Sequence, residues 1–298
     1  MDQIGFAVPL MRRRDKRVWL AKRRKVLGAT DAVAVLGYSK WATPVDVWLE
    51  KTGRYSDDRD SYPMRRGRLL ENLLVCEWAA MNPDARLLSH PPLVGHPDLA
   101  FLAASLDAAA ELDGQQVVIE AETASWRARE EWWDEDKLIP DAYAVQVLIQ
   151  LAVTGLEVAH VVADVAGDYR TVVIERDWEF ERWALPELEL WWNRHVAAGE
   201  PPDPDPVRDY RQLSRVWVPQ PGLSIEADSL LLSDIRAYAH ARAEYKEREQ
   251  IVSELRGRIR IAMKEATAVT CGGERIASVS KSGALTVKQQ HVTEDGDQ

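Results

Sequence analysis

Three carboxylates in two short segments frame the question of what this chain does. Asp107 lies in Leu106-Asp107-Ala108, and Glu120 and Glu122 end the β-branched run Val117-Val118-Ile119-Glu120-Ala121-Glu122-Thr123. Asp113-Gly114 between them has tight-turn composition, so the two segments are expected to pair as neighbouring strands. Alternation then puts Glu120 and Glu122 on one face, with Asp107 approaching from the adjacent strand and Ala121 offering its backbone. Oxygen ligands gathered in this way suit a hard cation, Mg²⁺ or Mn²⁺. An exposed strand whose acids merely face water reads equally well from these residues alone.

The surrounding elements must bring such acids together. Met64 to Ala80 reads as an amphipathic helix with Leu69, Leu70, Leu73, Leu74 and Trp78 as its apolar side. Glu71 falls off that side and can lean toward Asp107. Pro140 begins a second helix that runs through Thr154 and stops at Gly155, and Tyr143, Gln146 and Gln150 form a polar stripe on its otherwise apolar surface. Glutamines on a core-facing helix need partners, and the edge of an active site would supply them. Gly28-Ala29-Thr30-Asp31 opens a short helix closed by Gly37, and Thr43-Pro44 opens another that reaches Lys51. Strands are expected at Ala85 to Ser89, Phe101 to Ala108, Val117 to Thr123, Glu157 to Val165 and Tyr169 to Glu175. Trp178 to Ala198 reads as a surface helix with Trp183, Leu190 and Trp191 turned inward. This order implies an α/β sandwich around one mixed sheet. Trp126, Trp132 and Trp133 in the loop before Pro140 either anchor that loop or stack on bases.

Global composition limits the alternatives. The 298 residues, 46% hydrophobic and 29% charged, describe a soluble globular chain long enough for a large core. Cys76 and Cys271 make no disulfide framework or metal spacing, no apolar run approaches a membrane span, and a reducing cytoplasm is the expected compartment. The six histidines show no zinc spacing, so His90, His96 and His160 are read as structural. Although the formal net charge is -10, the stretch from Arg12 to Lys25 is strongly basic and suits a phosphate backbone, or simply solvent. Residues 201–228 form a proline-rich connector expected to run extended over the surface. A long helix then starts at Asp228 or Ser229 and reaches about Glu265, and a small β meander and an acidic tail ending in Glu294-Asp295-Gly296-Asp297 follow.

A family resemblance joins these pieces. Gly28-Ala29-Thr30-Asp31, Leu36-Gly37-Tyr38-Ser39-Lys40-Trp41, Thr43-Pro44 and Trp48-Leu49-Glu50-Lys51-Thr52-Gly53 resemble the opening of YqaJ-type phage recombination exonucleases, relatives of lambda exonuclease in the PD-(D/E)XK superfamily. The likeness continues through Gly67-Arg68-Leu69-Leu70-Glu71, Ala104-Ser105-Leu106-Asp107, Ile139-Pro140, Tyr143, Gln146 and Val153-Thr154-Gly155, and it ends near Gly199-Glu200-Pro201-Pro202. It implies a restriction-endonuclease-like domain over residues 1–200, with residues 229–298 as a C-terminal extension. It also implies that Glu71, Asp107, Glu120 and the Ala121 carbonyl hold Mg²⁺ or Mn²⁺, with Gln146 and Tyr143 beside them. Arg23 or Arg24 and Thr30 occupy the places where relatives contact a 5′-phosphate. The implied activity is 5′-to-3′ degradation of one strand from double-stranded DNA ends, by a ring-shaped homo-oligomer that leaves a 3′ overhang for a single-strand annealing protein. The implied setting is a phage or prophage protein in a bacterial host.

The main departure is Glu122, which stands where the family has a lysine that orients the attacking water and stabilises developing negative charge. A carboxylate there can position water or bind metal, as in the Glu-x-Glu arrangement of some restriction enzymes of the superfamily. Alternatively, a displaced lysine such as Lys137 takes over the task, or catalysis is lost and a DNA-binding or interaction protein remains. The fold also leaves an endonuclease open.

Overall fold

The structure of the protein, a computed structural model, describes residues 2–11, 15–55, 61–90, 93–134 and 137–288. Arg12 to Arg14 of the basic stretch and the acidic tail lie outside the described residues. The chain divides into two compact units, Met1–Gln220 and Pro221–Gln298.

In the first unit, β1 (Val8–Met11) and α1 (Lys16–Arg23) lead into α2 (Ala29–Val35), α3 (Pro44–Lys51) and α4 (Tyr62–Met81). Short strands β2 (Arg86–Leu87), β3 (Leu93–Gly95) and β4 (Ala103–Ala104) precede the hairpin β5 (Ala108–Leu112) and β6 (Gln115–Ala124). The short α5 (Arg129–Trp132) and then α6 (Asp141–Thr154) connect to β7 (Val158–Val165), β8 (Asp168–Glu175) and α7 (Trp178–Trp191), and α8 (Leu213–Val216) ends the unit.

Local chemistry explains the boundaries near the site. At the start of α3, the Thr43 hydroxyl accepts from the Asp46 N–H while the Asp46 carboxylate accepts from the Thr43 N–H, a reciprocal cap with Pro44 in the first turn. Helix α6 ends at Gly155, whose φ of 70° is the left-handed conformation that glycine reaches without strain. The β5–β6 hairpin closes through Asp113 and Gly114 with φ of 50° and 77°, the two positive values that a twisted two-residue turn requires.

The central sheet has five strands in the order β2-β5-β6-β7-β8, antiparallel except for the β6–β7 pair. That parallel pair needs a crossover, which α6 supplies. Leu74, Val75 and Trp78 of α4 cluster with Ala108, Ala110, Val117, Ile119 and Ala121 on one face. Val145, Ile149 and Val153 of α6 cluster with Ala109, Val118, Ala159 and Val161 on the other. A second sheet, β1-β3-β4, stands apart from the central one.

Three expectations are corrected. On α4, Leu69 and Leu73 are 77% and 60% exposed, and the buried stripe is Leu74, Val75 and Trp78. Glu71 lies at helical spacing with those three residues, so it continues the sheet-facing stripe instead of lying off it. On α7, Phe180, Ala184 and Leu188 turn inward, whereas Trp183 and Leu190 are exposed; Trp191 packs partly against the core, as expected. The stretch after Gly199 does not simply run over the surface. Asp209 is buried and accepts from the Thr43 hydroxyl at 2.5 Å, and Val216 joins Val45, Trp48 and Leu49 in a small apolar cluster.

The histidines His96 and His160 have structural partners. The His160 Nδ1 accepts from the Trp78 indole at 2.9 Å, and the His96 Nδ1 accepts from two backbone N–H groups at 3.1 Å.

The second unit holds the expected long helix, α9 (Ser229–Met263), capped by Asp228, whose carboxylate accepts from the Leu231 N–H at 2.8 Å. A meander of β9 (Ala268–Cys271), β10 (Glu274–Val279) and β11 (Leu285–Val287) follows, in the order β11-β10-β9. Among the described residues, no helix is long and apolar enough to cross a membrane.

Candidate active site

The hairpin register pairs Ala108 with Ile119, so Asp107 sits where the two strands diverge, beside the acids of β6. The Asp107 Oδ2 accepts from the Ala121 N–H at 2.9 Å. Glu120, 4% exposed, accepts from the Gln150 amide at 2.7 Å on one carboxylate oxygen and from the Gln146 amide on the other. The glutamine stripe of α6 thus meets the partner that its burial demanded. Thr30, at the start of α2, donates from its hydroxyl to the Gln146 Oε1 at 3.3 Å. Thr30, Gln146, Glu120, Ala121 and Asp107 therefore form one continuous group drawn from α2, α6 and the hairpin.

The electrostatics are unfavourable to ionised acids. Burial, then the charges of Asp107 and Glu122, push Glu120 well above the usual carboxylate range, and the two glutamine amides offset only part of this. Burial, then Asp107 and Glu71, push Glu122 up to about 8. Four acids thus share one field, with Glu71 contributed by α4. Arg68, one helical turn before Glu71, lines a pocket of about 140 Å³ with Glu71, Asn72, Val75 and Asp107. It is a cation that the sequence reading passed over, although its spacing of three from Glu71 put both on one face.

Among the described residues, no three His, Cys, Asp or Glu side chains converge closely enough to hold an ion together. Mg²⁺ does not require such a trio, since one or two carboxylates with water can complete its shell, and Asp107 and Glu120 are the carboxylates gathered at Ala121 and the α6 glutamines.

A second buried carboxylate lies nearby with opposite character. Asp31 of α2 meets the Lys51 ammonium at 2.6 Å and the Arg23 guanidinium at 3.7 Å, and it accepts from the Gly28 N–H at 2.9 Å. Its pKa is lowered: burial opposes ionisation, but Arg23 and Lys51 prevail. The fully buried Lys51 also donates to the Arg23 carbonyl at 3.1 Å, tying the end of α1 to the start of α2. No sequence spacing announces this pair, because Lys51 and Asp31 come from different helices. Of the two arginines expected at a phosphate, Arg23 is fixed here, stacked 5.1 Å from the Trp19 ring.

Tyr143 lies one turn before Gln146. Burial, then the charges of Glu122 and Glu131, raise its phenol, which places it at the edge of the acid group. Lys137 instead pairs with Asp141 at 2.6 Å on an exposed surface, away from the role of a displaced lysine.

Residues 18–157 match the YqaJ-like viral recombinase domain. The uncharacterized protein YqaJ of Bacillus subtilis (strain 168) is 28% identical over 254 residues, covering 83% of this chain and 78% of its own. Among solved structures, the alkaline exonuclease LHK-Exo of Laribacter hongkongensis aligns with a TM-score of 0.51 and 19% identity over 62% of this chain and 94% of its own. LHK-Exo in complex with dAMP aligns with a TM-score of 0.52 and 19% identity over 67% of this chain and 97% of its own. The mixed sheet between α4 and α6 is thus the fold of the lambda-exonuclease-like PD-(D/E)XK proteins. The matched residues 18–157 are the segment that holds both buried carboxylate groups, and there the chain is similar to the YqaJ-like viral recombinase domain.

Proposed function

We propose that the protein is a Mg²⁺-dependent exonuclease that degrades one strand of double-stranded DNA from its 5′ end during phage-type recombination. The observation that carries this reading is the under-neutralised acid group, Asp107, Glu120 and Glu122, locked to the α6 glutamines. The family match and the fold shared with an alkaline exonuclease support it.

Asp107, Glu120 and the Ala121 carbonyl would hold the ion, with Glu71 nearby. A bound divalent cation would polarise the phosphoryl oxygen and acidify a water. Gln146 and Gln150 keep Glu120 from rotating, because both of its oxygens are engaged. Glu122, held protonated in the absence of metal, would release its proton when a cation's charge lowers its pKa, and as a carboxylate it would take the proton of the attacking water. Water attacks phosphorus, the bond to the 3′-oxygen breaks, and the shortened strand keeps a 5′-phosphate. Arg24 and Thr30, with Arg23 beside them on Asp31, would hold the terminal phosphate, which would set strand polarity without reading bases. A ring-shaped homo-oligomer around the duplex and a single-strand annealing partner belong to the same proposal.

Glu122 itself favours a second reading, a DNA-binding homologue without turnover. Wild type and Glu122→Lys, incubated with linear 5′-phosphorylated duplex and Mg²⁺, separate the two. Release of nucleotides by wild type supports the exonuclease; release by Glu122→Lys alone establishes a disabled site. Cleavage of covalently closed DNA would replace the exonuclease with an endonuclease.

A further inference from the structure

Helix α9 is open to solvent along most of its length. It spans 35 residues, about 52 Å at the usual helical rise, and of its described residues only Met263, at the end, is buried. A lone helix of ordinary composition is marginal in water, because most helical stability in proteins comes from packing an apolar side. The apolar residues of α9 form such a side. Leu231, Tyr238, Tyr245, Val252 and Ile259 recur at seven-residue intervals, and Asp234, Ala241, Arg248, Leu255 and Ala262 follow each of them by three. Alternating steps of three and four draw one seam along a helix, the repeat by which two helices seat side chains in each other's gaps. Tyr238, Tyr245 and Val252 are 69, 57 and 54% exposed, so the middle of the seam is uncovered.

The charges select what covers it. Glu244, Glu247 and Glu249 are interspersed with Arg242, Lys246 and Arg248 along the middle of α9, which suits a protein surface of mixed sign and not a uniformly negative duplex. A second copy of α9 is such a surface in one direction only. In a parallel pair, Asp234 meets Asp234, Arg248 meets Arg248, and Glu244 faces Glu249 across the seam. In an antiparallel pair, the layers bring Tyr238 to Leu255, Ala241 to Val252, and Tyr245 to Arg248, whose guanidinium can lie over the phenol ring. Arg242, which lies 5.5 Å from the Tyr245 ring of its own chain, then flanks the seam opposite Glu249 of the second copy, and Asp234 moves toward the outer end.

We propose that two copies of this chain associate through an antiparallel coiled coil of α9, centred between Tyr245 and Arg248. The two-fold axis repeats each contact, so every layer and every flanking charge pair occurs twice. The inference uses nothing from the acid group, and it stands or falls independently of the exonuclease reading.

The test uses the full chain with the exposed Cys76 and Cys271 replaced by serine, so that only introduced thiols react. With a short bismaleimide, a mixture of Tyr238→Cys and Leu255→Cys should give a mixed covalent dimer, and neither variant alone should. Sedimentation velocity then reads the charges. Arg242→Glu and Glu249→Arg should each weaken association at least about tenfold, and combining them in one chain should return it to within about threefold of wild type. Crosslinking of Tyr238→Cys with itself would show a parallel pair, and absence of any crosslink in the mixture would show no pair; either result overturns the proposal, as does failure of the combined variant to recover. Opposite changes in duplex-DNA affinity for the two single variants, with association unchanged, would assign the helix to DNA instead.

Discussion

Asp31 and Glu120 are both buried carboxylates in one domain, yet their surroundings oppose each other. Around Asp31 the chain has placed Lys51 and Arg23, and the carboxyl is held below its usual range. Around Glu120 it has placed two further acids and two neutral amides, and the carboxyl is pushed up. The first group is complete within the protein. The second needs a proton or a cation from outside, and this difference, not acidity itself, distinguishes a structural anchor from a reactive site.

The sharpest way to break the comparison is substitution on the uncompensated side. Asp107→Asn or Glu120→Gln should lower exonuclease turnover by about a thousandfold or more while leaving the metal-free melting temperature unchanged or higher. A variant that retained activity would remove the acids from the mechanism. On the compensated side the expected result is reversed. Lys51→Met strands a buried charge and should cost about 3–5 kcal/mol in urea unfolding. Adding Asp31→Asn should recover much of that loss, and a failure to recover would mean that Lys51 acts through packing alone.

Metal provides the next discriminator. Mg²⁺ at a hundred times its dissociation constant should stabilise wild type by about 2.7 kcal/mol, and Asp107→Asn should lose most of the effect. An equal thermal shift in both proteins would move the ion elsewhere. The last effect, the smallest when read per pH unit, concerns pH. Glu122 holds its proton in the folded state up to about 8, whereas its ordinary value is 4.5. Between those values the unfolded chain binds fewer protons, so metal-free stability should fall as pH rises, by at most about 1.4 kcal/mol per pH unit from this group. Glu122→Gln should flatten that slope, and an unchanged slope would assign it to another group.

Much of this site was legible because its signals are local. Asp113-Gly114 announced the turn that brings Asp107 to Ala121, and the spacing of Tyr143, Gln146 and Gln150 announced a polar stripe seeking partners. Periodicity was less informative on α4, where apolar residues populate two overlapping stripes. It identifies a helix there, but only the sheet decides that Leu74, Val75 and Trp78 are buried and that Leu69 and Leu73 are not. The Asp31–Lys51 pair joins separate helices, and no pattern along the chain marks such a contact. The prolines after Gly199 indicated extended backbone correctly in kind, but they could not show that Asp209 would find Thr43.

The parallel pairing of β6 with β7 has a consequence in time. The β5–β6 hairpin closes over a two-residue turn and can form within microseconds, which brings Asp107 against the Ala121 N–H early. Glu120 meets Gln150 only after α6 has crossed over and β7 has docked, a non-local step that loop closure makes slower. During refolding, amide protection at Ala121 should therefore precede protection along β7, so the acids come together before the helix that restrains them is in place.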